Sequence, residues 1–344
     1  LRFAILGTGF WARYQLAAWK EIPGVRCVGL YNRTRAKAEA LARDFDVPAI
    51  HDDPETLIRE TRPDFLDVIT SVETHARFVR LAARHRIPVI CQKPLAPSLR
   101  EARALDALCR RARIPFLVHE NWRWQTPIRE VRRALDSGVI GPVFRARIDY
   151  INSFPVFDNQ PFLKELEQFI LTDIGTHILD TARFLFGEAS RLTCETQRVH
   201  PDIRGEDVAT VVARTRSGTI VTCNMSYASR VEHDRFPETF LHVEGERGAI
   251  ELAPDYWLRI TTAAGTSARR CPPPFRPWAD PRYLLVQSSI VDCNANLLQG
   301  LRGGPAETTA ADNIRTLEWV HAAYASAKSG RTVILPEHRS PPSP

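Results

Sequence analysis

The chain has 344 residues, 44% hydrophobic and 25% charged, with a formal net charge of +6. This composition fits a soluble globular protein of about two domains and excludes a fibrous or low-complexity chain. The arginines are scattered along helical stretches (Arg100, Arg103, Arg110, Arg111, Arg113) with no interleaved aromatics, so the positive balance reads as solvated helix faces and no nucleic acid is expected as a partner.

Arg2 to Leu6 reads as a strand and runs at once into Gly7-Thr8-Gly9-Phe10-Trp11-Ala12, which opens a helical pattern to about Lys20. A strand, a Gly-x-Gly-x-x-Ala turn and a helix together form the dinucleotide fingerprint. Gly7 permits the tight turn, Gly9 lets the backbone approach a pyrophosphate, and Ala12 lets helix and strand pack closely. The second strand, 25–31, ends at Asn32-Arg33-Thr34. Where a carboxylate would read a ribose 2′-hydroxyl, Asn32 carries no charge, and Arg33 is suited to a 2′-phosphate. The cofactor is NAD or NADP, with a lean to NADP.

Strands and helices keep alternating: helix 35–45, strand 49–51, helix 54–59 and strand 65–69, then Thr70 to His75 leading into a helix that Ser71 or Thr74 is placed to cap. The fifth strand ends abruptly at Cys91-Gln92-Lys93-Pro94, because proline lacks the N–H that a ladder needs. Lys93 therefore stands at the carboxyl edge of a parallel sheet, where ligands of such folds lie. Ser98-Leu99-Arg100-Glu101 is a capping box for the helix to 112, and 114–118 is a sixth strand. Six strands alternating with helices predict a doubly wound Rossmann sheet over residues 1–120.

His119 to Trp124 follows, with polar groups and two indoles that suit a pocket wall or a packed junction alike. A helix is expected at 126–137 and a half-buried strand at 143–150. Asp173 and His177 stand four apart on a predicted helix, a spacing that serves either a general base with its carboxylate or a capping pair; Gly175 between them suggests a close approach. Alternating stretches at 191–199, 207–215, 219–227, 238–244, 249–252 and 257–262 predict a mostly antiparallel sheet. A loop at 264–281, helices at 284–301 and 309–329 and a last short strand at 332–335 complete an α+β domain at 121–335. Residues 336–344 are expected to be disordered.

Seven cysteines without a Cys-x-x-Cys pair are expected as free buried thiols of a reducing cytoplasm, and the ten histidines show no metal-ligand spacing. The longest apolar runs are too short for a membrane span, and the apolar start reads as a strand, not a signal peptide.

Gln92-Lys93-Pro94, the Asn121 to Trp124 stretch and Asp173-Ile174-Gly175-Thr176-His177, in that order behind the glycine loop, resemble the glucose–fructose oxidoreductase and inositol dehydrogenase family. Gln92 and the 119–125 stretch are similar to its D-apiose dehydrogenase subgroup. The resemblance implies an NAD(P)-dependent oxidation of a sugar or cyclitol hydroxyl. It implies cofactor contacts from Gly7, Thr8, Gly9, Phe10, Trp11, Asn32, Arg33, Ser71, His75, Gln92, Lys93 and Arg123. It further implies that Lys93, Asp173 and His177 are catalytic, that Trp122 joins them at the substrate, and that the protein forms a homodimer or homotetramer through an uncovered sheet face. The departure is Gln92, where the family usually has Glu. Two alternatives stay open on sequence: a reductase of an oxo-sugar or imine, and a non-catalytic cofactor-binding sensor.

Overall fold

In the computed structural model, residues 1–232 and 234–338 are described. The chain opens with β1 (Arg2–Leu6), α1 (Phe10–Lys20), β2 (Arg26–Tyr31), α2 (Arg35–Phe45), β3 (Ile50–His51), α3 (Pro54–Thr61), β4 (Phe65–Val68), α4 (Val72–His85), β5 (Val89–Gln92), α5 (Leu99–Ala112) and β6 (Phe116–His119). These strands form one sheet in the order β3-β2-β1-β4-β5-β6 with parallel pairing throughout. Continuous apolar runs such as Phe3-Ala4-Ile5-Leu6 are buried because helices cover both faces of a parallel sheet. Order reverses at β1, so the loops after β1 and β4 flank the switch point where such folds take ligands.

The remaining elements are α6 (Thr126–Asp136), β7 (Val143–Ile151), α7 (Val156–Asn159), α8 (Ile170–Asp173), α9 (Gly175–Phe186), β8 (Ala189–Gln197), β9 (Val208–Thr215), β10 (Ile220–Ser226), β11 (Phe240–Gly245), β12 (Gly248–Ala253), β13 (Trp257–Thr262), β14 (Gly265–Arg270), α10 (Leu284–Leu301), α11 (Ala310–Ser329) and β15 (Val333–Ile334). A second sheet has nine strands in the order β14-β13-β12-β11-β7-β10-β9-β8-β15; among its pairs, β7 with β10 is parallel and the others are antiparallel. Its outward positions include Phe144, Val212 and Ile220 among charged pairs such as Arg145–Glu244 and Arg147–Asp149.

Two compact units result: residues 1–124 with 274–315, and residues 125–273 with the chain from Thr316 onward. Two differences from the sequence reading follow. Residues 274–315 return to the first unit, because the apolar side of α10 packs on α1: Cys293, Leu297 and Leu298 join Leu16 and Trp19 in one core. The loop expected at 264–281 contains β14, whose six residues are all exposed, so no apolar alternation marked it. In the tail, Arg216 reaches the Pro336 carbonyl at 2.6 Å and the Glu337 carboxylate at 3.3 Å, and His338 bonds Glu318; the rest of the expected disordered segment, 339–344, lies outside the described residues. All seven cysteines are free and buried. Among the described residues no helix is long and apolar enough to cross a membrane.

Candidate active site

The glycine loop has the geometry its sequence requires. Gly7 sits at φ +101°, and a Cβ there would stand 2.7 Å from the Ile69 carbonyl oxygen, so only glycine fits where β1 and β4 run side by side. Gly9, the N-cap of α1, is open: a Cβ there would meet nothing within 4 Å. No side chain caps α1 and no acidic residue stands in its first turn, which leaves its positive end for an anion. The buried Thr8 hydroxyl has no hydrogen-bond partner. Asn32 holds the loop from the end of β2. Its Oδ1 accepts from the Thr8 N–H at 3.1 Å, and its Nδ2 donates to the Thr34 carbonyl at 2.9 Å. Arg33 is exposed, and Phe10 and Trp11 form an edge-to-face aromatic cluster with Tyr14 and Tyr283 beside the loop. An open glycine, an orphaned hydroxyl and an uncapped helix end fit the pyrophosphate of a dinucleotide.

Ser71 is the N-cap of α4 by position, without a side-chain cap bond, while Thr74 Oγ1 donates to the Ser71 carbonyl at 2.8 Å. His75 is 1% exposed. Its Nδ1 lies 3.1 Å from the Pro94 carbonyl and its Nε2 lies 3.0 Å from the Thr70 carbonyl, and burial pushes its pKa down. The ring therefore braces the loop after β4 against the turn after β5.

The residues around Gln92 explain why this chain has an amide there. Asp67, fully buried in β4, accepts from Gln15 Nε2 at 2.7 and 2.8 Å and from Trp19 Nε1 at 2.8 Å; burial pushes its carboxyl up to about 7 against these two donors. The carboxylate fixes the Gln15 amide with its nitrogen inward, so Gln15 Oε1 needs a donor. Gln92 Nε2 supplies it at 2.7 Å and faces His119 Nδ1 at 3.2 Å. His119 Nε2 then donates to Asn294 Oδ1 at 3.1 Å, and Gln92 Oε1 accepts the Lys93 N–H at 3.2 Å. Amide and ring orientations follow from this directional chain. A glutamate at 92 would set carboxylate oxygen against the Gln15 carbonyl. Gln92→Glu is therefore expected to cost about 1–3 kcal/mol in urea unfolding above neutral pH; unchanged stability would mean that the chain of donors is not fixed as described.

Asn121 Nδ2 donates to the Val286 carbonyl (2.9 Å) and Ser289 Oγ (2.8 Å) on α10. Trp122 is 3% exposed, and its N–H donates to Glu120 Oε1 at 3.0 Å. Arg123, also buried, bonds Asp312 at 2.9 Å. Sequence reasoning assigned Trp122 to substrate and Arg123 to cofactor. Both side chains are buried, Trp122 at 3% and Arg123 at 5% exposed.

In the second unit the helix expected through Asp173 and His177 is interrupted. α8 ends at Asp173, Ile174 follows, and α9 starts at Gly175; the His177 N–H bonds the Ile174 carbonyl at 2.9 Å. His177 is 5% exposed. The close approach at Gly175 comes from Leu171, whose Cδ2 would lie 3.3 Å from an added Cβ. α8 is anchored at its start: Glu206 accepts from the Phe169 and Leu171 N–H groups at 3.3 and 3.2 Å, and Tyr324 donates to Glu206 at 2.8 Å while accepting from the Thr172 N–H at 3.1 Å. Gln15, Asp67, Glu206 and Tyr324 had no place in the sequence reading. A charged residue inside the apolar run Phe65-Leu66-Asp67-Val68 was the one signal available.

The fold and the loop define a nicotinamide-dinucleotide oxidoreductase with a second, α+β domain. The chain belongs to the GFO/IDH/MocA family: the family described as oxidoreductase family, NAD-binding Rossmann fold, matches residues 1–119, and the GFO/IDH/MocA C-terminal domain matches residues 128–251. A D-apiose dehydrogenase of Paraburkholderia graminis is 40% identical over 333 residues, 96% of this chain and 89% of the relative. One from Rhizobium rhizogenes is 39% identical over 334 residues, 97% of each chain. The crystal structure of an oxidoreductase from Agrobacterium radiobacter in complex with NAD+, L-tartaric acid and magnesium superposes with a TM-score of 0.95 at 38% identity, covering 97% of this chain and 98% of that one. The protein is accordingly an NAD(P)-dependent oxidoreductase.

Proposed function

We propose that the protein oxidises a hydroxyl of a sugar, with D-apiose the first substrate to try. The reading rests chiefly on the D-apiose dehydrogenase that is 40% identical across 96% of the chain. Bound nicotinamide supplies the acceptor for the hydride that leaves the carbinol carbon. The residues of this chain do the rest. Lys93 places a positive charge and a donor where the substrate oxygen turns into an alkoxide, and His177 takes the hydroxyl proton. Asp173 binds a second hydroxyl and so selects the reacting carbon.

Asn32 bears no charge against a 2′-phosphate and Arg33 is exposed beside it, while the relative from Agrobacterium radiobacter holds NAD+. We infer that NAD+ is used and NADP+ is accepted. Assembly through the outward face of the second sheet, at Phe144, Val212 and Ile220, belongs to the same proposal; a light-scattering mass of a single chain would remove it.

The test is an initial-rate panel of aldoses (apiose among them), cyclitols and sugar acids, each with NAD+ and separately with NADP+. The expected result is reduced nicotinamide with an aldose, faster than with any cyclitol. Cofactor binding with no turnover of any polyol would defeat the proposal and favour the sensor or oxo-sugar reductase reading.

A further inference from the structure

Gln92 brings no charge to the strand end that carries Lys93, yet a carboxylate stands on the neighbouring strand end. Gln92 is in register with His119 across the parallel β5–β6 pair, so Lys93 and Glu120 are the next residues along strands that lie about 4.8 Å apart. The Gln92 and His119 side chains meet at 3.2 Å, and Lys93 and Glu120 are the residues with which the chain leaves these two paired strand ends. Glu120 is 0% exposed. Its Oε1 accepts the Trp122 N–H at 3.0 Å, and the Cys293 thiol of α10 approaches its carbonyl at 3.6 Å, so its backbone and side chain are held.

A buried carboxylate needs a cation. Two face Glu120. Arg123 is already bonded to Asp312 at 2.9 Å and lies 3.9 Å from Glu307. Lys93 exerts the larger attraction on the Glu120 carboxylate, ahead of Arg123 and of the repulsion from Asp312. We infer that Glu120 is the buried counter-charge that positions the Lys93 ammonium in this chain, where the usual partner at position 92 is an amide. The inference rests on the dehydrogenase reading for its catalytic consequence, and Glu120 is a positioning residue in it.

Burial pushes the Glu120 carboxyl up to about 7, so it changes charge in an accessible range. Besides Lys93, the titratable and charged groups that act on it are Cys293, Arg123 and Asp312. The chain contains five lysines, which makes Lys93 resolvable in a 13C spectrum of protein labelled at lysine ε-carbons. This readout needs no substrate. In the wild type the Lys93 signal is expected to follow an inflection near pH 7 as Glu120 ionises, and Glu120→Gln is expected to abolish it.

Glu120→Gln keeps an acceptor for the Trp122 N–H, so the fold is retained. It should lower kcat/KM by about 10- to 100-fold, mostly in kcat, with cofactor affinity unchanged within about threefold. Glu120→Asp, which keeps the charge, should retain more activity than Glu120→Gln. A Lys93 signal whose inflection survives Glu120→Gln overturns the inference, as does a wild-type signal with none, even if the variant fails to fold. Loss of the inflection in a protein that turns over no sugar would leave the inference standing and remove the dehydrogenase reading instead.

Discussion

Lys93→Ala is expected to lower kcat by about 10²–10⁴-fold while the dissociation constant for the oxidised cofactor moves by less than about threefold. The two parts of this expectation have separate causes. Lys93 follows directly on β5, a strand whose Val89, Ile90 and Cys91 are fully buried, so its backbone position is set by the sheet and not by its own side chain. Removing the ammonium therefore leaves the glycine loop and Asn32 unchanged. On the proposed mechanism, what is lost is a charge beside the oxygen that becomes an alkoxide, in a partly buried place where such a charge acts with little screening. Initial rates paired with calorimetric titration of the cofactor check both halves. A fall in cofactor affinity equal to the fall in rate would make Lys93 a binding or structural residue.

Gly7→Ala is expected to have the second largest effect, through the backbone. At φ +101° an alanine is strained, and its methyl would stand 2.7 Å from the Ile69 carbonyl and 2.8 Å from Thr70 Cγ2. Strain and overpacking together are worth about 2–4 kcal/mol of stability. Relief by opening β1 from the loop after β4 would also displace Thr8 and break its bond to Asn32, so cofactor affinity should fall at least about tenfold. Chemical denaturation and the same titration measure the two effects. Gly9→Ala is the control, because a methyl there meets no protein atom within 4 Å. If the Gly7 and Gly9 variants are equally stable, the close approach at Gly7 is not what demands glycine.

The first sheet was readable because parallel strands buried on both faces leave near-continuous apolar runs, and because the residues that end them, Gly7, Asn32 and Pro94, are chemically distinctive. β14 was not, since Gly-Thr-Ser-Ala-Arg-Arg is exposed along its whole length and its pairing with β13 comes from the backbone alone. The return of 274–315 to the first unit was invisible for another reason: the apolar positions of α10 suit any core, and only packing against α1 says which. In the candidate site, Lys93 could be singled out by its place after a strand. The interplay of Gln92 with Gln15 and Asp67 spans 77 and 52 residues of sequence and depends on donor direction, which residue identities do not carry.

The central claim, that this chain removes hydride from a sugar carbinol, is tested most directly by isotope transfer. D-apiose deuterated at its carbinol carbons would be incubated with the protein and NAD+, and the nicotinamide recovered for mass spectrometry. The account predicts reduced nicotinamide carrying one added deuterium, formed by the wild type and almost absent with Lys93→Ala. Reduced nicotinamide without deuterium, or equal labelling by the Lys93 variant, would contradict it.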